Sequence, residues 1–312
     1  MENLPPEAPN PASSMEMTMS KTVFIAGGRG TVGEHLANRL RLEGHTVRAG
    51  SRRPHGAFAT TFDYTDPQSF PAALEGVDAA YLVVPEATAQ PLELVSPFVD
   101  AAASAGVKLV LQSAMGVDAN DAIPLRQLEL RIEAAGVPYV LLRPNWFFDN
   151  LHGRWFTSIS RAGQLALPAE AARTSFVDAR DIADVAFVAL TRPLLDGRAL
   201  VLTGAEPLTY AETTAALAAL TGISIGYRSI DDDEFVSRAA EIGITPDFAR
   251  QMVPIFAAVR NGWLAQVSPH VAEILGRAPR RLRDYLLDSV WRFESAVARS
   301  RRQALHEVSQ SA

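Results

Sequence analysis

Three glycines, at 27, 30 and 33, have the type and spacing that bear most directly on chemistry. They lie in Val23-Phe-Ile-Ala-Gly-Gly-Arg-Gly-Thr-Val-Gly33. A β-branched and aromatic run, Thr22 to Ala26, precedes them, and a helical pattern with Val32, Leu36 and Leu40 on one face follows. Strand, glycine turn and helix together form the setting a dinucleotide fingerprint requires. Gly27 permits a tight turn, Gly30 lets a pyrophosphate approach the backbone, and Gly33 lets the helix pack closely on the strand. Gly28, Arg29, Thr31 and Val32 complete the turn. Phosphate oxygens would sit on free N–H groups at the positive end of the helix.

The next chemical signal closes the second strand, which reads from Thr46 to Ala49 and runs into Gly50, Ser51, Arg52 and Arg53. A carboxylate here would hold the free 2′-hydroxyl of NAD, whereas arginine accommodates the 2′-phosphate of NADP. No Asp or Glu stands there, so the pattern points to NADP(H), with Arg29 placed to reach the same phosphate. The bland alternative is two solvated arginines after a strand.

Farther along, Asn145-Trp146-Phe147-Phe148-Asp149-Asn150, followed by Trp155 and Phe156, is the densest aromatic cluster in the chain. Just past a strand, such residues suit a flat apolar pocket wall with a few polar groups, here Asn145, Asn150 and His152; a loop that covers the core would read the same way. Ser113 and Met115, after the fifth strand, face the same region. Ser113 and Asn145 are the candidates for stabilising a developing oxyanion. The acidic run Asp231 to Glu234 precedes Phe235 and reads as the first turn of a helix, where carboxylates suit the dipole, and not as a metal site.

These groups need a frame. Strands at Thr22–Ala26, Thr46–Ala49, Ala57–Phe62, Ala79–Val84, Val107–Leu111 and Tyr139–Leu142 alternate with helical patterns. That alternation predicts a doubly wound α/β parallel sheet of the Rossmann type. Ligands of such sheets bind beyond the carboxyl ends of the strands. The turn at 27–33, Ser51 to Arg53, Val84 with Pro85, Ser113 to Gly116 and Asn145 to Phe148 would then share one rim. The expected organisation is a disordered tail at 1–20, a NAD(P)-binding domain at 21–150, a smaller and mostly helical substrate region at 151–295 interleaved with it, and a frayed tail at 296–312. In the second region Asp178 or Asp181 would cap a helix, Phe176 to Asp178 would form a short strand, and Pro254 would kink or break a helix at 246–261. Phe235, Phe256 and Trp263 would line the far side of the pocket, and His35, His45 and His55 would lie on the surface.

Composition narrows the classes. A net charge of −6 leaves no basic footprint for nucleic acid. The absence of cysteine excludes disulfides, thiolate metal sites and thiol nucleophiles. No apolar run reaches the roughly 18 residues of a membrane span. The first residues carry prolines but no basic and apolar signal, so no secretory peptide is read there and a cytoplasmic setting is expected. A small-molecule substrate is the expected partner, with a homodimer left open.

With these residues in view, the chain resembles the NmrA-like, atypical branch of the short-chain dehydrogenase/reductase superfamily, whose NAD(P)-binding members include azoreductase-like and quinone-oxidoreductase-like proteins. The resemblance is carried by Gly27 to Gly33, by Phe62-Asp63-Tyr64-Thr65-Asp66, by Gly136 to Pro144 with the following Asn145-Trp-Phe-Phe, and by Phe176 to Ala186. It implies NADP(H) held at its phosphates by Gly27 to Gly33, at its 2′-phosphate by Arg52 and Arg53, and near its adenine by Asp63 and Tyr64. Val84, Pro85 and Ser113 would lie along the nicotinamide half. One departure matters. The superfamily's tyrosine with a lysine four positions later is missing, since the lysines are only Lys21 and Lys108. The lysine that related reductases carry in the helix before strand six falls on Leu125, beside Arg126, and arginine stays protonated. The expectation is therefore hydride transfer from NADPH to a flat aromatic, quinone, enone or imine acceptor without the tyrosine–lysine pair. The alternatives are an NADP(H)-binding sensor or regulator without turnover, and a redox-neutral epimerisation or rearrangement with retained NADP.

Overall fold

The computed structural model describes residues 19–153, 155, 159 and 162–293. Apart from residues 19 and 20, the tails read at 1–20 and 296–312 fall outside them, as does Phe156. The strand before the glycine turn, β1 (Thr22–Ala26), is buried from Val23 to Ala26, as an inner strand covered on both faces must be. It leads into α1 (Thr31–Leu42), β2 (Thr46–Ser51), β3 (Ala59–Thr61), α2 (Phe70–Leu74), β4 (Ala79–Val83), α3 (Pro91–Ser104), β5 (Lys108–Gln112), α4 (Pro124–Glu133) and β6 (Tyr139–Pro144). Beyond these lie β7 (Gln164–Leu167), β8 (Arg173–Thr174), α5 (Ala179–Thr191), β9 (Arg198–Leu202), β10 (Leu208–Thr209), α6 (Tyr210–Thr221), β11 (Gly226–Ser229), α7 (Asp232–Ser237), α8 (Pro246–Arg260) and α9 (His270–Leu275). Residues 282–293 form a last helix, α10.

Seven strands form one parallel sheet in the order β3-β2-β1-β4-β5-β6-β9. The period of two in β1 decides what each face holds. Val23 and Ile25 pack under α1 and α5, with Leu36, Leu40, Ile182 and Ala186. Phe24 and Ala26 face the other layer, where Phe62, Tyr64, Phe70 and Phe98 form an aromatic knot. The sheet does not finish at residue 150: β9 pairs with β6 along Val140–Pro144, and α5 covers the sheet beside α1. Sequence beyond 150 thus builds part of the nucleotide-binding layer.

The remaining elements make a second core around Trp155, Phe176, Tyr210, Phe235 and Phe256. Local rules set their ends. Asp178 caps α5 through the N–H of Arg180, and Thr209 with Glu212 forms a full capping box on α6. Asp231 caps α7, so the acidic run is a helix start; among the described residues no group of His, Cys, Asp or Glu could hold a metal. Three expectations are corrected. Phe176 to Asp178 is not a strand but a single bridge between Val177 and Phe147. Pro254 lies inside α8, which runs unbroken through it. His45 is buried, its Nδ1 accepting from the Lys21 N–H at 3.0 Å and its ring set edge-on against Phe187. No helix among the described residues is long and apolar enough to cross a membrane.

Candidate functional site

At the carboxyl end of β1 the chain turns on Gly27, whose φ of +79° belongs to the left-handed region. The Gly30 N–H donates to Gly27 O at 2.8 Å, closing the turn. A Cβ on Gly28 would stand 2.6 Å from that of Ala49, and one on Gly33 would strike the carbonyl of Gly27. The cradle therefore tolerates no side chain at either place. α1 begins at Thr31 with no side-chain cap, which leaves its first-turn N–H groups open at the rim. These amides and the bare backbone are shaped for a pyrophosphate.

At the end of β2 the Ser51 hydroxyl organises the arginines. It accepts from Arg29 Nη2 at 3.2 Å and from the Arg53 N–H at 3.2 Å, and donates to Arg53 O at 3.1 Å. Arg29, Arg52 and Arg53 are exposed. Beside them a cavity of about 250 Å³ opens between α1 and the 55–59 loop, with Glu34 its one carboxylate. Across the rim, Asp63 is committed to a turn. Its carboxylate accepts from the backbone N–H and the hydroxyl of Thr65, and these bonds hold it below the usual carboxylate range. Tyr64 belongs to the aromatic knot, its hydroxyl donating to Val83 O at 3.4 Å. Tyr64 is thus core and offers little to an adenine. Val84 and Pro85 follow β4 at the rim, half-buried and exposed respectively.

Both lysines lie at the opposite end of the sheet. Lys21 precedes β1 and reaches Leu190 O; Lys108 opens β5, donating to Arg192 O at 2.9 Å and pairing with Asp196. No tyrosine presents a free phenol at the rim. Tyr81 is buried and donates to Gln112 at 2.5 Å, Tyr210 lies in the second core, and Tyr227 donates to Leu167 O at 3.2 Å. Tyr139 opens β6 at the far end, and Tyr285 meets His152.

What occupies the rim after β5 and β6 is an ion network that the motifs did not announce. Glu129 of α4 has no solvent exposure. Arg143 of β6 grips it with Nε at 2.9 Å and Nη2 at 2.7 Å, while its Nη1 holds Asp118 at 2.6 Å. Arg126 joins Glu129 and Glu133, each at 2.8 Å, and Asp121 at 3.1 Å. Burial alone would raise the Glu129 pKa; hydrogen bonding from Arg143 and Arg126 more than reverses this and holds it low. Ser113, 6% exposed, lies beside that carboxylate, and its hydroxyl has no well-formed hydrogen bond. The Arg126–Glu129 spacing of three on a helix was legible as an ion pair. That Arg143 would close on it was not.

Of the residues read as a substrate wall, the structure keeps some and removes others. Met115, Trp146, Phe147 and Asn150 are half-buried. Phe148 and Trp155, the latter 3% exposed, are core residues: Phe148 stacks on Phe176, and Trp155 packs on Trp146 and Tyr210. Phe235 and Phe256 are core as well, and Trp263 is exposed. Asn145 is buried with both amide protons committed, to Ser175 Oγ and Leu264 O, each at 2.8 Å. It ties the chain after β6 to the second core and has no free N–H for an oxyanion. Asp149, 8% exposed, accepts from the Ala179 N–H at 3.3 Å. Burial, then the charge of Asp178, pushes its pKa up to about 6. His152 contacts Tyr285 and accepts from Arg292 at 2.9 Å, and burial with that guanidinium drives it down to about 4.

A doubly wound parallel sheet with a bare glycine turn at its first strand defines a dinucleotide-binding protein. The family model described as NAD(P)H-binding matches residues 27–193. The chain is 34% identical over 277 residues to a (4-alkanoyl-5-oxo-2,5-dihydrofuran-3-yl)methyl phosphate reductase of Streptomyces griseus, covering 84% of this chain and 96% of that one. It is 32% identical to an agroclavine dehydrogenase of Claviceps fusiformis, covering 86% and 98%. In fold it matches a Citrobacter sp. triphenylmethane reductase crystallised with NADP(H), at a TM-score of 0.74 and 19% identity over 86% of this chain and 99% of that one. The chain belongs to the NAD(P)H-binding family that the family model describes, and its relatives at 34% and 32% identity are named as a reductase and a dehydrogenase.

Proposed function

We propose that this chain is an NADPH-dependent reductase that delivers hydride to a flat aromatic or quinone-, enone- or imine-type small molecule without a tyrosine–lysine pair. The observation that carries the reading is the pairing of the bare glycine cradle with the arginine-rich, carboxylate-free end of β2. On this reading the backbone of Gly27 to Gly33 holds the pyrophosphate, and Arg29, Arg52 and Arg53 hold the 2′-phosphate. Arginine suits that group because its planar fork meets two phosphate oxygens at once. Val84, Pro85 and Ser113 flank the nicotinamide half, and Met115, Trp146, Phe147 and Asn150 offer a partly apolar face to an acceptor. Bound NADPH supplies the hydride; the chain supplies binding, orientation and exclusion of water. Relatives named as reductases and dehydrogenases support the class.

A second reading, a cofactor sensor without turnover, draws support from the rim, which presents neither a tyrosine phenol nor a lysine. One experiment separates them. NADPH and NADH are titrated into the full chain by fluorescence, and a quinone, enone and imine panel follows. The reductase reading expects tighter NADPH binding and loss of the reduced-nicotinamide absorbance. NADPH binding without oxidation by any acceptor would leave the sensor. Binding of neither cofactor would remove both readings.

A further inference from the structure

We infer that Gln112, its amide turned outward by the buried phenol of Tyr81, donates a hydrogen bond to an oxygen of the nicotinamide riboside and fixes that half of NADP(H) at the rim. This rests on the NADP(H) reading of the glycine cradle and adds two residues to the same site, Gln112 as a contact and Tyr81 as the residue that positions it.

Tyr81 is the one polar side chain of β4, whose other residues are alanine, leucine and valine. It has no solvent exposure and packs in the layer of α1 and α5. A phenylalanine would fill the same space with no hydroxyl to satisfy, and a buried hydroxyl without a partner costs stability. The partner here is Gln112, whose Oε1 accepts from the phenol at 2.5 Å. Among the described residues Tyr81 makes no other hydrogen bond. That settles which way the amide stands. A buried phenol must give its proton to an acceptor, so the amide oxygen turns inward and the NH2 group turns outward. Gln112 is half-buried, and among the described residues its Nε2 has no partner.

Its place in the sheet says what the NH2 group meets. Gln112 is the last residue of β5, in register with Val83 at the end of β4 and with Leu142 of β6. It stands at the carboxyl edge, where ligands of such sheets bind. Alternation puts it with Val110 in the layer that carries α1, whose first turn belongs to the cradle. β5 is two strands from β1; strands lie about 4.8 Å apart, so Gln112 stands roughly 10 Å from the cradle. With the adenosine half on the β2 side, beside Ser51 and the arginines, the riboside half falls on the side of β4 and β5. A nicotinamide riboside offers acceptors to an amide N–H: two ribose hydroxyls and the carboxamide carbonyl. The neighbouring side-chain amide, Asn145, has both protons committed. Hydride transfer needs the ring held in one orientation, and a donor already fixed by a buried phenol holds it with less entropy lost on binding.

The test is calorimetry on the full chain with three ligands: NADPH, 2′-phospho-ADP-ribose, which lacks the nicotinamide, and adenosine 2′,5′-bisphosphate, which lacks the whole riboside half. Gln112→Leu is expected to weaken NADPH about tenfold and to leave the bisphosphate unchanged. Loss retained with phospho-ADP-ribose assigns the bond to a ribose hydroxyl; loss confined to NADPH assigns it to the carboxamide. Unchanged NADPH binding overturns the inference, and equal loss of NADPH and bisphosphate overturns it by marking Gln112 as structural only. Should Gln112→Leu fail to fold, Gln112→Glu keeps the size and the acceptor for Tyr81, removes the outward donor, and must show the same selective loss. Tyr81→Phe is expected to weaken NADPH severalfold, spare the bisphosphate, and add nothing in a chain that already carries Gln112→Leu; a further loss there overturns the positioning role. Wild-type chain that binds neither NADPH nor the bisphosphate sinks the cofactor reading together with this inference, whereas tight NADPH binding that Gln112→Leu leaves untouched sinks this inference alone.

Discussion

The two ends of the rim are built in opposite ways. At β1 and β2 the site is backbone and exposed arginine, drawn from one stretch, Gly27 to Arg53, and its net sign is positive. At β5 and β6 it is ion pairs closed over a buried carboxylate, drawn from α4, the turn that carries Asp118 and β6. A pyrophosphate has one shape, so a glycine turn and a helix start meet it wherever they occur. The β5–β6 end depends on side chains that converge only after the sheet is assembled.

The largest effect should come from breaking the second end. Glu129→Ala leaves two guanidiniums without their buried anion and should cost about 4 kcal/mol in chemical denaturation. Replacing Glu129 and Arg143 together by Leu and Met should recover much of it, because an apolar pair needs no compensation. If the single variant cost nothing, the network would be ornamental and the contrast between the two ends would fail.

Next in size is the first end. Gly33→Ala drives a Cβ into the Gly27 carbonyl. It should cost about 3 kcal/mol through displacement of the turn and weaken NADPH binding about a hundredfold by fluorescence titration. Unchanged binding would show that the turn is not the cradle.

Asp149, which follows β6 and faces the start of α5, adds a test by pH. Its carboxyl is raised to about 6 in the folded chain by burial and Asp178. The folded chain thus holds a proton that the unfolded chain releases near its ordinary value of about 4. The stability this proton contributes is full below about pH 4 and is lost as pH rises through 6. Asp149→Asn should therefore raise Tm at pH 7.5, by on the order of 2 kcal/mol of stability, and leave it unchanged in acid. A variant destabilised at neutral pH would contradict the sign.

The smallest effect sharpens the first end. Arg52→Ala should weaken NADPH about tenfold, or about 1.4 kcal/mol, and leave NADH unchanged. Equal loss for both would place Arg52 away from the 2′-phosphate.

What could be read along the chain was whatever short-range physics fixes. Glycine at 27, 28 and 33, the caps at Asp178, Thr209 and Asp231, and the alternation of apolar strands with helices all depend on neighbours within a few residues. They determined the doubly wound sheet, the glycine cradle and the absence of a carboxylate after β2. Aromatic residues were less legible: Trp146 and Trp155 look alike in sequence, yet one is half-buried and the other is core, because burial depends on what α6 and α8 bring against them. Only the tertiary structure decided that Asn145 is saturated, that both lysines stand at the far end of the sheet, and that Glu129 and Arg143 meet. Charge pairing at close range depends on distance in space, which residues 14 positions apart on a helix and a strand acquire only when the sheet closes.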